Sequence, residues 1–433
     1  MPAFAALAVF ALAGAALALL WFLNTRDEAV TAAAAPRLPA SAALLARGEY
    51  LTRAGNCMSC HTERGGTPFA GGRGIQTPFG TVFSSNLTPD AETGLGRWSS
   101  SDFWRALHNG RSQDGRLLYP AFPYTSYTQV SREDADAMHA FLQSLPPAKA
   151  PPQPHTLRWP FNTQAALAVW RALYFSPGRF EPQAAQSAEW NRGAYLVRGL
   201  GHCAACHSAR DALGGSHQLD LAGGLIPMQN WYAPSLTARR EAGLGEWKTE
   251  DVVTLLQTGV APGASVLGPM AEVVLHSTQH MSEADLRAMA VFLKALPQSA
   301  EAEAALPTAA RGPKASAAAN SATARAGAKL YENHCAQCHG DSGQGVARAY
   351  PALAGNRAVT MASTANLVQI VLKGGYAPAT AGNPRPYGMP PFVLLLSDSE
   401  VASVLSYLRS AWGHQASEVT SFDVNRARSG NPK

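Results

Sequence analysis

Charge is scarce in this chain. Only 15% of its 433 residues are charged and the net charge is +5, so nothing points to nucleic-acid binding. No cysteine stands outside three short groups. No glycine-rich dinucleotide fingerprint follows a predicted strand, which excludes a nicotinamide or flavin site on this chain. Glycine runs such as Gly71-Gly72-Arg73-Gly74 instead follow a cysteine group and read as turns where backbone must come close to a bound group. Methionine is rare, with nine copies, and no Lys or Arg precedes Arg26. Disorder is excluded as well, because 46% of the residues are hydrophobic. The 38 glycines and 30 prolines belong to long loops and linkers, and the length suits three domains of about 100–150 residues each.

The six cysteines form Cys57-Met-Ser-Cys60-His61, Cys203-Ala-Ala-Cys206-His207 and Cys335-Ala-Gln-Cys338-His339. In c-type haem attachment two thiols add to the porphyrin vinyl groups. Two intervening residues set the sulfurs along one edge, and the next residue, His, reaches the iron. A lone C-x-x-C could be half a zinc site or a redox dithiol. Three copies that use every cysteine leave zinc pairing with an unpaired half. The pattern predicts three covalent haems c.

The motifs also mark an internal repeat. Each follows a short helical signal: Arg47–Leu51, Arg192–Leu196 and Ala326–Tyr331. Each is followed by an amphipathic stretch ending at glycine: Asp102–Gly110, Asp251–Gly259 and Asn366–Gly374. Each unit closes on a helix with an S-x-x-D/E start, over Ser131–Leu145, Ser282–Leu296 and Ser397–Leu408, of which only Ser397 with Glu400 is a strict capping box. Three helices around a haem describe a small cytochrome c domain. The predicted fold is all-α, with three tandem domains and an N-terminal hydrophobic helix. The boundaries are 41–148, 187–298 and 325–413, with segment 1–23 ahead, connectors at 149–186 and 299–324, and a tail at 414–433.

A haem that only transfers electrons commonly takes His and Met as axial ligands. In the third unit Met389 lies in a loop held by glycine and prolines, whereas Met361 is in a helix-like stretch. In the second, Met270 follows Gly268-Pro269, 63 residues after His207. Met289 reads as core, Met281 as the start of the closing helix and Met228 as loop packing. The first unit departs from this pattern, because Phe122, 61 residues after His61, occupies the corresponding loop. Met58 lies inside the attachment loop, Met138 suits packing in the closing helix, and His108 and His139 read as surface or helix-end histidines. The distal ligand of the first haem is left open: either another residue swings in, or the position is unusual or empty.

Pro2 to Leu23 is 22 residues without a charged or polar side chain, long enough as a helix to span about 30 Å of hydrocarbon. A cleaved signal peptide has a basic start, and none is present, which favours an uncleaved anchor, although Ala33–Ala35 could serve as a cleavage site. Thioether attachment takes place outside the cytoplasmic membrane, so the haem domains are expected on the periplasmic face. Residues 146–160 read as a stiff proline-rich connector. Ala165–Phe175 reads as a helix packed between the first two units, or alternatively as a membrane-surface helix. The alanine-rich stretch from Ser299 to Ala324 suggests that the third unit hangs on a flexible tether.

Several runs resemble a known family: Thr77-Pro78-Phe79-Gly80-Thr81, Ser85-Asn86-Leu87-Thr88-Pro89-Asp90, Thr93–Ser99, Asp114-Gly115-Arg116 with Leu118-Tyr119-Pro120, and Trp231–Thr237. The chain is similar to the tri-haem cytochrome c subunits of membrane-bound dehydrogenases, such as those of alcohol dehydrogenase and gluconate 2-dehydrogenase. The resemblance implies an electron-transfer subunit that is not itself an enzyme. Its implied partners are a large catalytic subunit with a quinone, flavin or molybdenum cofactor, a small subunit alongside it, ubiquinone and the membrane. The three C-x-x-C-H sets carry over, with Met270 and Met389 as distal ligands. The family loop Ala-Met-Pro-Tyr reads Ala121-Phe122-Pro123-Tyr124 here, and that form is similar to cytochrome subunits of molybdenum hydroxylases for aldehydes or N-heterocycles. The other readings are a free-standing cytochrome feeding a terminal oxidase and an enzyme using an open first haem.

Overall fold

The computed structural model describes residues 2–25, 41–216, 220–298, 322–347 and 349–429. Its residues gather into two compact units. One comprises Met1–Pro182, Arg198–His202 and Arg210–His217; the other comprises Gln183–Val197, Cys203–Ala209 and Gln218–Lys433. The first repeat lies in the first unit together with two short segments of the second, and the third shares the other unit with most of the second.

The first unit contains α1 (Pro2–Thr25), α2 (Ala42–Ala54), the attachment turn α3 (Cys57–Cys60), the hairpin β1–β2 (Gly74–Thr77, Gly80–Phe83), α4 (Ser100–Asn109), α5 (Tyr124–Tyr127), α6 (Arg132–Ser144) and α7 (Gln164–Tyr174). In the second unit, the second repeat contributes α8 (Ala188–Tyr195), α9 (Ala204–His207), β3–β4 (Gly224–Ile226, Trp231–Ala233), α10 (Thr249–Thr258), β5–β6 (Val260–Ala261, Ala264–Ser265), α11 (Pro269–His276) and α12 (Glu283–Lys294). The third contributes α13 (Ala322–His334), α14 (Ala336–His339), α15 (Arg357–Thr360), α16 (Ala365–Lys373), β7–β8 (Gly375–Tyr376, Gly388–Met389), α17 (Asp398–Ser410) and α18 (Ser421–Arg428).

One crossing repeats three times. The helix ahead of each motif lies on the closing helix, α2 on α6, α8 on α12 and α13 on α17, and a glycine occupies each crossing. A Cβ on Gly48 would stand 2.0 Å from the Ala137 carbonyl oxygen, on Gly193 1.9 Å from that of Ala288, and on Gly327 2.2 Å from that of Ser403. Only glycine lets the two backbones approach this closely. Around the crossings the apolar faces are buried: Leu51 with Met138 and Leu142, Ala194 with Leu286 and Phe292, Tyr331 with Val404 and Leu405.

The closing helices are capped in two ways. Ser131, Ser282 and Ser397 each accept from the backbone N–H three residues on, but only Ser397 with Glu400 forms the reciprocal box. In the first two repeats the corresponding carboxylates take an arginine across the helix crossing instead, Asp134 from Arg47 and Asp285 from Arg192. The third repeat has Ala326 where that arginine would be, and its Glu400 turns back to the cap.

The all-α expectation needs one correction. Four two-stranded antiparallel hairpins interrupt the described helices. Their strands are two to four residues long, too short for a period-two pattern to show against the helical signals around them. The third repeat also does more than hang on a tether. Asn366 on α16 accepts from Tyr232 N–H and donates to the Tyr232 carbonyl, both at 2.8 Å, and the fully buried Gln369 donates to the Gln229 and Asn230 carbonyls. The alanine-rich connector itself lies outside the described residues up to Ala322. The 414–433 segment carries α18, whose Val424 is wholly buried in the core of the third repeat.

Helix α1 runs 24 residues without a charged side chain. Among the described residues no helix is long and apolar enough to cross a membrane; within α1 the side chains of residues 2–10, 12, 13 and 16 are not among those described. At its C-terminal end Asn24 is buried. Its amide donates to the Ala168 carbonyl of α7, its Oδ1 accepts from Arg171, and its carbonyl accepts from Arg111.

Candidate functional site

Each C-x-x-C-H motif is one helical turn. The backbone N–H of His61, His207 and His339 bonds to the carbonyl of Cys57, Cys203 and Cys335, at 2.9 Å in each case. The turn sets cysteines i and i+3 side by side on one face and carries the histidine on past them. No disulfide joins these cysteines. Burial pushes the first thiol of each pair up, Cys57 and Cys203 to about 12 and Cys335 to about 11, with the neighbouring thiol adding to the rise. Such a thiol stays protonated and uncharged near neutral pH, unlike the low-pKa cysteine of a redox dithiol.

The three histidines are held alike. His61 Nδ1 lies 2.7 Å from the Ser85 carbonyl oxygen, His207 Nδ1 2.7 Å from that of Pro234, and His339 Nδ1 2.9 Å from that of Pro351. A carbonyl can only accept, so Nδ1 carries the proton and Nε2 keeps its lone pair, the tautomer an iron ligand requires. Burial lowers the pKa of all three, opposed by that same backbone contact, and keeps the rings neutral. A glycine in the left-handed region donates to each histidine's own carbonyl: Gly71 to His61, Gly223 to His207 and Gly345 to His339. The donor set, its tautomer and its spacing fit a covalently held haem in all three repeats.

Sequence reasoning missed what holds these histidines. The acceptors of His61 and His207 lie just beyond the hairpins β1–β2 and β3–β4, which aim the loops at the rings. The available signal was the pair of runs around Thr77–Thr81 and Trp231–Thr237, legible as motifs but not as short strands. Behind Pro234, Glu241 is 1% exposed, accepts from Tyr232 OH and from Ser235 N–H, and has its carboxyl raised above 4.5 by burial.

The methionine candidates separate clearly. Met389 forms β8, paired with Gly375 and half-buried against the core of the third repeat. Met270 is half-buried in the first turn of α11, directly after Pro269, rather than in an open loop. An open, largely apolar groove of about 520 Å³ runs between Gly268 and Ala271 on one side and Gly375 and Tyr376 on the other; neither Met270 nor Met389 lines it. Met138, Met281, Met289 and Met361 are buried side chains of the packing, and Met228 is exposed at the turn of a hairpin.

In the first repeat Phe122 packs its ring 5.3 Å from that of Tyr127, whose hydroxyl donates to the Gly55 carbonyl two residues before Cys57. His108 sits in the last turn of α4, as a helix-end residue, but neither it nor His139 is on the surface. His108 is 4% exposed, stacks on Trp104 and bonds through Nδ1 to the Thr128 carbonyl; His139 is 9% exposed and lies against Phe103. Their apolar neighbours on α4 and α6 carry them inward.

The cytochrome c family matches residues 45–146 and 324–412. The chain is 38% identical to the cytochrome c subunit of a quinone-type alcohol dehydrogenase from Gluconobacter oxydans, over 92% of this chain and 85% of that one. It is 37% identical to the gluconate 2-dehydrogenase cytochrome c subunit of Pantoea cypripedii, over 90% of each. It is also 32% identical to the fructose dehydrogenase cytochrome subunit of Gluconobacter japonicus, over 89% of this chain and 83% of that one.

Proposed function

This chain belongs to the cytochrome c subunits of dehydrogenase complexes, and from that premise we propose that it carries three haems c along which electrons pass from a periplasmic dehydrogenase subunit to quinone in the membrane. It is an electron-transfer subunit and not itself a catalyst of substrate oxidation. Cys57 with Cys60, Cys203 with Cys206 and Cys335 with Cys338 hold the haems, His61, His207 and His339 are the proximal ligands, and Met270 and Met389 are the distal ligands of the second and third. A haem held in this way supplies one-electron chemistry. The chain's own residues present neutral Nε2 atoms and hold the histidine rings by backbone carbonyls.

The observation that carries the reading is the threefold Nδ1-to-carbonyl geometry beside a C-x-x-C turn: a redox dithiol has no use for a metal-ready histidine at every motif, and among the described residues no cluster of His, Cys, Asp and Glu gathers the ligands a zinc site needs. The partner dehydrogenase oxidises an alcohol, a sugar acid, or an aldehyde or N-heterocycle. α1 anchors the chain at the periplasmic face of the cytoplasmic membrane.

Two measurements test this. Haem quantified as the pyridine complex against protein is expected at three per chain, and at two in Cys335→Ala/Cys338→Ala. Chain purified from native membranes in mild detergent is expected to bring a large dehydrogenase subunit with it and to show haem reduction with one substrate class. A chain that purifies alone and is reduced by none of those substrates overturns the partner assignment.

A further inference from the structure

Helix α7 turns an uncharged face outward. Ala165, Val169 and Leu173 recur at four-residue spacing, all exposed, with Val169 at 49% and Leu173 at 54%. The opposite face is buried through Leu167 and Arg171. Arg171 is committed inward, donating to Asn24 Oδ1 and to the Asn109 carbonyl, with its guanidinium over the Phe175 ring. Through Asn24 the same helix is bonded to the last turns of α1, where Leu17, Leu19, Trp21 and Phe22 are exposed at 56–70%. Trp159 ahead of α7 is 80% exposed.

Charge sets this surface apart. From Ala137 to Phe180 there is no Asp or Glu, whereas Lys149, Arg158, Arg171 and Arg179 are present, and Arg158 and Arg179 are exposed on the two flanks of α7. An apolar helical face with exposed indoles and basic flanks, with the nearby Asp211 carboxylate taken up by the Tyr174 hydroxyl, matches the boundary between acyl chains and anionic headgroups. A face meant for water would carry charge of both signs.

We propose that α7 is an interfacial helix that lies on an anionic lipid surface through Ala165, Val169 and Leu173, continuous with the C-terminal turns of α1. The Asn24–Arg171 bonds lock the two helices together, so the first haem unit meets the membrane in one orientation. The proposal rests on the reading of α1 as the membrane anchor and adds a second, separate contact.

All six native cysteines are held by haem in the loaded protein, so one introduced cysteine is uniquely labelled. Full-length holoprotein carrying Val169→Cys, Leu173→Cys, Leu17→Cys or the polar control Ser144→Cys is labelled with a small fluorophore. It is reconstituted in vesicles of phosphatidylcholine and phosphatidylglycerol containing nitroxide lipid. Quenching at 17, 169 and 173 but not at 144 is expected, as is its loss at Ala165→Cys when Val169→Glu and Leu173→Glu are added. Quenching at 17 alone leaves the anchor standing and overturns the α7 contact. No quenching at any of these sites overturns the anchor and the α7 contact together. Labels at 169 and 173 shielded from aqueous iodide yet unquenched by lipid nitroxide mean that protein covers the face, which also overturns the proposal.

Discussion

At the scale of single residues, Phe122 and Glu241 each carry a prediction. Phe122 offers no lone pair where the proposed ligands Met270 and Met389 would offer thioether sulfur, so Phe122→Met is expected to raise the number of Met-ligated ferric haems from two to three. The methionine–iron charge-transfer band reports that number, and soft sulfur raises the potential of the haem concerned. An unchanged count would mean that another side chain already fills the position. Wholly low-spin EPR from the unsubstituted ferric protein would likewise exclude an open first haem. Glu241 acts through pH. Burial raises its carboxyl above 4.5, while its hydrogen bonds from Ser235 and Tyr232 pull the other way. The folded chain therefore keeps a proton that the unfolded chain has already released. The stability this contributes is complete below the ordinary carboxylate range and is lost as pH rises toward the raised value. Glu241→Gln removes the proton exchange, and thermal unfolding midpoints followed across that window should flatten relative to the unsubstituted holoprotein.

At the scale of elements, the three helix crossings are the most constrained contacts. An alanine at Gly48, Gly193 or Gly327 drives a methyl group into the carbonyl of the facing helix, which is expected to cost about 1–3 kcal/mol or more by overpacking. Denaturant unfolding of the holoprotein followed by far-ultraviolet dichroism measures this, and an alanine variant as stable as the parent would show that the helices separate cheaply. The crossings also account for the capping difference. An arginine one residue before the crossing glycine takes the closing helix's carboxylate across to the neighbouring helix in the first two repeats, and its absence in the third frees Glu400 for the box.

At the scale of the whole molecule, three motifs are housed in two bodies. Asn366 and Gln369 dock the third repeat on the β3–β4 hairpin of the second by hydrogen bonds to backbone. Asn366→Ala leaves the Tyr232 N–H and carbonyl without these partners, an expected loss of about 1–3 kcal/mol. Together with Gln369→Leu it is expected to split a single calorimetric transition of this unit into two. A transition that stays single would place the coupling in the apolar contacts instead.

Much of this protein was legible in one dimension. The proposed attachment residues follow from covalent chemistry at fixed spacing, and the helices follow from periodicity and serine caps, because both depend on neighbours within a few residues. The family resemblance rested on runs that sequence could quote but not explain. The hairpins stayed hidden, since a pair of two to four residues is fixed by what it packs against. The inward turn of His108 and His139, the docking of the third repeat on the second, and the clamp of Asn24 by Arg171 were decided by contacts between residues far apart in the chain. Sequence alone thus singled out the atoms proposed to hold haem. Tertiary structure decided which carbonyls orient them, because Ser85, Pro234 and Pro351 reach the histidines only after the chain has folded back.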